Sequence, residues 1–327
     1  MRHYYSSWLH AAAAGVLSIL SGCLWAQPWP GKPVRVVVPY APGGGVDVVA
    51  RVVVPYYARA WGQPVIIDNK PGAGGHVGAE QVAKSAPDGL TLMMTASGQA
   101  AGPALYKKLN YDPVTDVVGI AGVVAAPNIL VVHPDVPAKT LTEFIALAKA
   151  APGKLNYGST GVGSGPQLGF EMLKAMAGID VVHVPYKGDG PLYPALLTNE
   201  VQAGILPPQT AIPHMNTGKV RAIAVTSAAR FRPLPDLPTF GEAGVPGYDY
   251  IAWVGVFAPA GTPRAILDRI NADTQKTLAD PEFTNRYLPQ WGQESMTLSA
   301  SAFHARYLAD IEKAKKIVRE AKIPQID

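Results

Sequence analysis

The sequence lacks most of the features on which metal, disulfide and catalytic sites are built. It contains a single cysteine, Cys23, which excludes an internal disulfide, a CxxC redox pair and a zinc site made of several thiolates. The motifs HExxH, GxSxG and GxxxxGK followed by Ser or Thr do not occur, so the usual zinc protease, serine hydrolase and nucleotide-binding sites are not indicated. We therefore expect a protein that is not an enzyme and that needs no cofactor and no metal.

Charged residues are also scarce. Asp, Glu, Lys and Arg make up 16% of the 327 residues, and the formal net charge is +4. No block of five or six like charges is present, so neither a polybasic tail nor a nucleic-acid partner is expected. Hydrophobic residues, at 48%, supply enough material for a substantial core.

Long hydrophobic runs are missing as well. The apolar run from Ala11 to Leu20 has about ten residues, whereas a helix that spans a bilayer needs ~20. Arg2 and His3 precede this run, and small or polar residues follow it. This order is typical of a secretory signal peptide, so we expect an exported, periplasmic protein.

Two sites of signal cleavage remain open. Leu20-Ser21-Gly22-Cys23 resembles a bacterial lipobox, in which the signal covers residues 1–22 and the cysteine becomes the lipidated first residue that tethers the protein to the membrane. Cleavage after Ala26 would instead remove residues 1–26, and the cysteine with them. Leu24 stands where this second site prefers a small residue.

What the sequence does contain is a repeated alternation of short apolar runs and longer amphipathic segments. The first unit is PVRVVVPY (33–40), then APGGG, then a stretch of helical length that starts at Val46. PVIIDN and TLMMTASG open similar units. Repeated units of strand, turn and helix predict an α/β fold with a largely parallel sheet covered by helices.

Two of the predicted helices carry specific expectations. Pro55 lies inside the first helix and should kink or shorten it. The last helix, residues 299–321, places apolar residues at spacings of three or four, and such a stripe is typical of a buried face. The residues of the stripe are Phe303, Tyr307, Ile311, Ala314 and Val318.

Two extended apolar segments are predicted to cross between two lobes. Residues 117–134 are too long for one ordinary strand, and Pro127 interrupts them. Residues 250–261 form the second such segment. Two crossovers between two α/β lobes describe a hinged fold with a ligand cleft between the lobes. The predicted lobes are residues 28–126 plus 251–327 for lobe 1 and residues 127–250 for lobe 2.

Two glycine-rich loops follow predicted strands and open predicted helices. They are Pro42–Asp47 (PGGGVD) and Gly158–Gln167 (GSTGVGSGPQ). A helix start presents unpaired N–H groups and a partial positive charge, which together form an anion site. One such loop alone is more simply a tight turn. One loop in each lobe, at the carboxyl edge of its sheet, favours a clamp on the two ends of a small dianion.

Two side chains in these loops have alternative roles. Asp47 is either a partner for a cationic group of the ligand or a structural residue that accepts first-turn N–H groups or pairs with Arg51. Ser164 either caps the following helix, in a capping box with Gln167, or contacts the ligand.

Several segments closely resemble the Bug (TctC-like) family, the extracytoplasmic solute receptors of tripartite tricarboxylate transporters. They include KPVRVVVPYAPGGGVDVVAR, LNYGSTGVGSGPQL, HVPYKGDGPLYPALL and GKVRAIAVTSAARFRPLPDLPTFGEAGVPGY, and the resemblance runs from about Trp29 to the C-terminus. It implies a two-lobed, type II-like periplasmic binding protein fold and a small carboxylate ligand. It also implies large and small membrane permease subunits as partners, with a membrane sensor kinase as the alternative partner. We expect a monomer.

Carried over residue by residue, the resemblance implies a ligand site made of both loops and of residues after other strands. The implied ligand-binding residues are Tyr40, Gly43, Gly44, Gly45, Asp47, Ser97, Ser159, Thr160, Gly161, Ser164, Pro185 and Tyr186. One segment departs from the family, since Gln202 and Leu206 stand where many members carry aspartate. Asp47 is therefore the one acid expected near the cleft. We accordingly expect ligands without a free amine to bind better than amino acids.

Overall fold

The fold is given by a computed structural model, in which residues 29–320 and 323–326 are described. The predicted signal peptide and Cys23 lie outside the described residues, and their processing stays a prediction.

The strands are β1 (Val34–Val38), β2 (Val65–Asn69), β3 (Thr91–Ala96), β4 (Val117–Pro127), β5 (Ile129–Val132), β6 (Asn156–Ser159), β7 (Val182–Pro185), β8 (Ala203–Leu206), β9 (Arg221–Val225), β10 (Ile251–Pro259) and β11 (Glu294–Ser295). The α-helices are α1 (Gly45–Trp61), α2 (His76–Ala83), α3 (Gly102–Leu105), α4 (Leu141–Ala150), α5 (Gly165–Ala177), α6 (Asp189–Leu197), α7 (Pro208–Asn216), α8 (Arg264–Ala279), α9 (Leu288–Trp291) and α10 (Ala300–Glu320). Shorter helical turns cover Ala73–Gly75, Ser97–Ala101 and Phe283–Tyr287.

The strands form two mixed sheets, and each sheet with its helices makes one lobe. The first sheet has six strands in the order β11-β4-β10-β3-β1-β2, and the second has five in the order β7-β6-β8-β5-β9. Each contains three adjacent parallel strands, β2-β1-β3 in the first and β7-β6-β8 in the second. The α/β class is confirmed. The sheets are less parallel than predicted, because β10 and β5, which begin at the crossovers, run against their neighbours.

The chain crosses between the sheets at the two predicted segments. Strand β4 of the first sheet ends at Pro127, Asn128 belongs to neither sheet, and β5 of the second sheet begins at Ile129. At the second crossover the chain returns to the first sheet through β10, whose first residue, Ile251, pairs with Pro127 of β4. Proline has no N–H group to continue a hydrogen-bonded ladder, which agrees with a strand that ends there. The exact limits of the two lobes stay a prediction.

Helix α1 continues through its internal proline. It runs over 17 residues and passes through Pro55. The proline lies on the exposed side, while Val49, Val53 and Tyr57 are buried against the rest of the lobe. Most helical stability in proteins comes from packing of the apolar face, so this contact maintains the helix despite the lost hydrogen bond. The expectation that Pro55 shortens α1 is wrong, and the alternative, that it kinks the helix, stays a prediction.

The last helix, α10, contacts the hydrophobic cores of both lobes. The predicted stripe is buried along its whole length. Its part up to Ile311 packs in a cluster with Trp253 of β10, in the first lobe. Ala314 and Val318 pack in a second cluster, which contains Leu130 of β5 and other residues of the second lobe. None of the helices that the structure describes is both long and apolar enough to span a membrane.

Candidate ligand-binding site

A cavity lies where strands of both sheets end. Tyr40 follows β1 and Ser97 follows β3 in the first lobe. Thr160 follows β6, Asp189 follows β7 and Gln209 lies just after β8 in the second lobe. Ligands of open α/β folds bind at the carboxyl ends of the parallel strands, because loops and helix starts converge there.

The cavity is small and is completed by residues of both crossovers. Asn128 contributes from the first crossover, and Tyr250 and Trp253 contribute from the second. The cavity volume is about 80 Å³. A single water needs ~10–15 Å³ by the same measure, so the space suits a handful of non-hydrogen atoms. A ligand of this size would touch both lobes and the hinge between them.

Five of the twelve residues predicted from the sequence line the cavity, and seven do not. The five are Tyr40, Gly45, Ser97, Thr160 and Ser164. The seven outside the lining are Gly43, Gly44, Asp47, Ser159, Gly161, Pro185 and Tyr186. Position therefore favours ligand contact for the first group and a supporting role for the second.

The first glycine loop meets an acid of the chain itself. The backbone N–H of Gly45, the first residue of α1, donates to Asp189 Oδ2 at 3.0 Å. A Cβ atom on Gly44 would lie 2.6 Å from the same oxygen, so this close approach requires glycine. The anion site predicted at the start of α1 is thus occupied by a carboxylate from α6 of the other lobe.

Asp47 is buried beside this loop, outside the cavity. Its Oδ2 accepts hydrogen bonds from Arg51 Nε at 2.7 Å and from the Gly43 N–H at 2.8 Å. Its Oδ1 accepts from Asn69 Nδ2 at 3.0 Å. Burial alone would raise the pKa of Asp47, but these donors hold that pKa below its usual value. The geometry favours the second of its two predicted roles, in which Asp47 fixes the loop.

The second glycine loop builds the start of α5. Ser164 is the N-cap, and its Oγ accepts from the Gln167 N–H at 3.5 Å. The side chain of Gln167 does not bond back to Ser164; its Oε1 accepts from the Gly163 N–H at 2.7 Å instead. Gly163 has a φ of 82°, which favours glycine. Since Ser164 also lines the cavity, capping and ligand contact are compatible.

Four of the predicted residues lie in or beside this loop, outside the cavity lining. Ser159 is fully buried, and its Oγ lies 2.7 Å from His183 Nε2 and 3.2 Å from the Gly161 N. Gly161 has a φ of 129°, and a Cβ there would lie 3.2 Å from the carbonyl oxygen of Tyr186. Pro185 is the exposed last residue of β7. Neither Ser159 nor His183 lines the cavity, so the pair shapes the loop and presents no nucleophile to a ligand there.

One part of the cavity presents helix starts and neutral hydroxyl groups. Ser97 Oγ and the Tyr250 hydroxyl lie 3.3 Å apart. The start of α5 is close, since a Cβ on Gly98 would lie 2.5 Å from the backbone N of Gly165. Burial raises the pKa of Tyr250 to about 12, so its hydroxyl keeps its proton at neutral pH. Protonated hydroxyls and the positive end of a helix suit a carboxylate.

Another part of the cavity presents hydrogen-bond acceptors. Asn128 is 3% exposed, and its side-chain Oδ1 has no hydrogen-bond partner among the described residues. Gln293 donates through Nε2 to Gln209 Oε1 at 3.0 Å, while its own Oε1 is buried without a partner among the described residues. Asp189 adds a carboxylate to this group. Buried acceptors of this kind are costly unless a donor meets them.

All four of these residues were missed by the sequence reasoning, and three of them carried a signal that could have found them. Asp189 and Gln209 carried a usable signal, because each lies in the first turn of a helix that follows a parallel strand. Asn128 was detectable as a lone amide within the apolar residues 117–134. The expectation that Asp47 is the acid near the cleft is wrong, since Asp189 lines the cavity and Asp47 does not. The expected preference for ligands without an amine assumed that no other acid lies in the cleft, and Asp189 removes that assumption.

Fixed positive charge is missing from the cavity wall. Among the described residues, the lining includes no Lys, Arg or His side chain. No three His, Cys, Asp or Glu side chains of the described ranges lie together as a metal site. A ligand carboxylate would therefore be held by N–H and O–H donors and not by a side-chain cation.

Comparison with known proteins places this geometry in a family. The family described as "Tripartite tricarboxylate transporter family receptor" (TctC) matches residues 49–323. Protein BugT of Bordetella pertussis is 32% identical over 311 residues, which cover 94% of this chain and 94% of BugT.

Solved structures with the same fold include two that contain small dicarboxylates. Rpa4515 of R. palustris, solved with adipate, is 34% identical, with a TM-score of 0.87, and the match covers 91% of this chain and 100% of that one. MatC of Rhodopseudomonas palustris, solved with malate, is 33% identical, with a TM-score of 0.84 and coverage of 89% and 100%. The periplasmic binding protein BugD is 33% identical, with a TM-score of 0.86 and coverage of 91% and 100%. The chain therefore belongs to the TctC family of tripartite tricarboxylate transporter receptors, which are periplasmic solute-binding proteins and not enzymes.

Proposed function

We propose that this chain captures a small organic carboxylate in the periplasm and delivers it to a permease made of a large and a small membrane subunit. The observation that carries the proposal is the convergence of the α5 start with the hydroxyls of Ser97 and Tyr250 in one small cavity. The relatives solved with adipate and malate support carboxylate as the ligand class.

Binding of this kind is reversible for a physical reason. The carboxylate would be held by charge-assisted hydrogen bonds from neutral donors, each worth ~1.5–3 kcal/mol net. Several such bonds give useful affinity without the permanent pairing that a buried arginine would provide. A receptor that must release its ligand to a permease needs this balance.

Ligand-induced stabilisation of the purified mature protein tests capture. We expect at least one small mono- or dicarboxylate to raise the unfolding free energy by ~2.7 kcal/mol at 100 times its dissociation constant. Ser97→Ala and Tyr250→Phe each remove one hydroxyl and should weaken binding about five- to tenfold, or ~1–1.4 kcal/mol. Ser301→Ala, on the exposed side of α10, is the matched control. Failure of every carboxylate in a broad panel to stabilise the protein would contradict the proposal.

Delivery is tested in cells. Deletion of the receptor gene should abolish uptake of the radiolabelled ligand, and deletion of either permease subunit should do the same. Normal uptake in the receptor deletion, together with loss of ligand-dependent gene expression, would identify a partner in a membrane sensor kinase instead.

A further inference from the structure

The acid in the cavity occupies the place that a second ligand carboxylate would need. The start of α1 is the anion site of the first lobe, and its Gly45 N–H already donates to Asp189 Oδ2 at 3.0 Å. Gly44 allows the approach, because a side chain there would meet that oxygen at 2.6 Å. The predicted clamp on two anionic ends is therefore reduced to one free anion site, at the start of α5.

A second, independent observation concerns the side chains that face the same space. Asn128 is 3% exposed, and its backbone N–H is already bonded to Thr226 Oγ1 at 2.8 Å. Its side-chain Oδ1 nevertheless has no partner among the described residues, and neither has Oε1 of Gln293. Both residues are among those that line the cavity. Buried acceptors without partners require a donor from whatever fills the space.

The charge of the residues that line the cavity also favours a hydrogen-bond donor at this end of the ligand. Asp189 is acidic, and the described lining contains no Lys, Arg or His to neutralise it. A second ligand carboxylate beside Asp189 would meet a like charge in a partly desolvated space. An amide or an ammonium group would instead donate a charge-assisted hydrogen bond to the same carboxylate.

We propose that Asp189 is the specificity-determining residue of this cavity. It selects a monocarboxylate whose far end is a hydrogen-bond donor, an amide or an ammonium group, over the dicarboxylate of the same length. The carboxylate of the ligand binds at the start of α5, and the donor end binds Asp189 and the acceptors of Asn128 and Gln293. This inference rests on the proposed capture of carboxylates and names the ligand class within it.

Matched ligands test the selection directly. Isothermal calorimetry at pH 7.5 would compare succinate with its monoamide, succinamate, and with 4-aminobutyrate. A second series would compare adipate with adipic acid monoamide and 6-aminohexanoate, to allow for a longer ligand. In the series whose chain length matches the cavity, we expect the amide or the amine to bind at least tenfold more tightly than the diacid. The two arms distinguish an amide from an ammonium end.

Asp189→Asn keeps the shape of the side chain and an acceptor for Gly45, but removes the charge. We expect it to raise the affinity for the diacid at least tenfold and to remove the advantage of the ammonium ligand. Asp135→Asn is the matched control, because the Asp135 side chain is 77% exposed and lies outside the cavity lining. Thermal unfolding of both variants would confirm that they fold.

The outcomes separate this inference from the proposed function. A diacid that binds the wild type more tightly than its monoamide and amine, with no gain in Asp189→Asn, would overturn the role of Asp189 and leave carboxylate capture intact. Absence of binding by every member of both series and of a broader carboxylate panel would overturn the proposed function itself.

Discussion

Two aspartates near the first glycine loop have opposite surroundings, and their surroundings decide their roles. Asp47 accepts from Arg51, from the Gly43 N–H and from Asn69, so its charge is balanced where it is buried. Asp189 accepts from the Gly45 N–H and faces the cavity without a side-chain cation. Burial raises the pKa of Asp189, and the donors around it oppose that rise only in part. Asp47 thus has a side-chain cation as its partner, whereas Asp189 has backbone and hydroxyl donors and can take a further donor from a ligand.

A buried histidine gives the first lobe a dependence on pH. His76 is 3% exposed, its Nδ1 lies 2.7 Å from the Tyr111 hydroxyl, and burial lowers its pKa from 6.5 to about 4. Between these two values the unfolded chain binds a proton at His76 and the native protein does not. The stability is therefore fully present above about pH 6.5 and decreases as the pH falls toward 4, by up to ~3 kcal/mol.

His76→Gln removes this titration. Urea unfolding at several pH values between 6.5 and 4.5 should show a shallower loss of stability in the variant than in the wild type, even if the variant is less stable at every pH. Burial also lowers the pKa of His183 to about 4, so part of the slope should remain. Equal slopes for wild type and variant would show that His76 does not carry the dependence.

At the scale of elements, helix starts from the two lobes approach each other with only glycine between them. The turn Ser97–Ala101 meets the start of α5, where a Cβ on Gly98 would lie 2.5 Å from the backbone N of Gly165. Tyr106 donates from its hydroxyl to the carbonyl oxygen of Val162 at 2.8 Å. These contacts join the two lobes across the cleft and leave no room for a methyl group at Gly98.

Gly98→Ala should therefore act on closure and not on folding. The φ of Gly98 does not lie in the left-handed region that disfavours side chains, so alanine fits the backbone of an open form. We expect ligand affinity to fall at least tenfold, or ~1.4 kcal/mol, with little change in the unfolding temperature of the ligand-free protein. Calorimetry and thermal unfolding measure the two quantities.

Gly190→Ala is the control for this variant, because an added Cβ at Gly190 has no atom within 4 Å. It should bind ligand like the wild type. Unchanged affinity in Gly98→Ala would mean that the lobes close with more space between them than this structure shows.

The elements follow from the sequence further than the site does. The break at Pro127 and the buried stripe of α10 were predictable, because strand and helix periods and proline act locally. The interpretation of Gln202 and Leu206 as positions where the cleft has lost an acid does not match the structure. Leu206 is buried in the core of the second lobe, and Gln202 accepts from the Asn156 N–H at 2.9 Å, so neither lines the cavity.

The site residues that the sequence could not show are brought together by tertiary contacts between distant parts of the chain. Asp189 reaches Gly45 across 144 positions of sequence, and Gln293 reaches Gln209 across 84. No local pattern encodes these contacts, because each joins residues of different lobes. The residues that set selectivity in a cleft are for this reason the hardest to predict from one sequence.

For the whole molecule, a ligand that touches both lobes should shift the population toward the closed form. Small-angle X-ray scattering of the wild type should show a smaller radius of gyration with saturating ligand than without it. Gly98→Ala should show a weaker decrease under the same conditions. An identical radius of gyration with and without ligand in the wild type would indicate a rigid cavity.

Helix α10 has a consequence for how long a ligand stays bound. Two crossovers alone would leave the lobes free to rotate about two strands. The helix adds a third connection, because its first half packs with Trp253 and its second half, at Ala314 and Val318, packs with the core of the other lobe. Because its 21 residues form one continuous helix, we expect opening to pull one half off its cluster and to expose apolar surface at ~25 cal/mol per Å². We therefore expect the residence time of the ligand to depend in part on a helix whose described residues contribute nothing to the cavity wall.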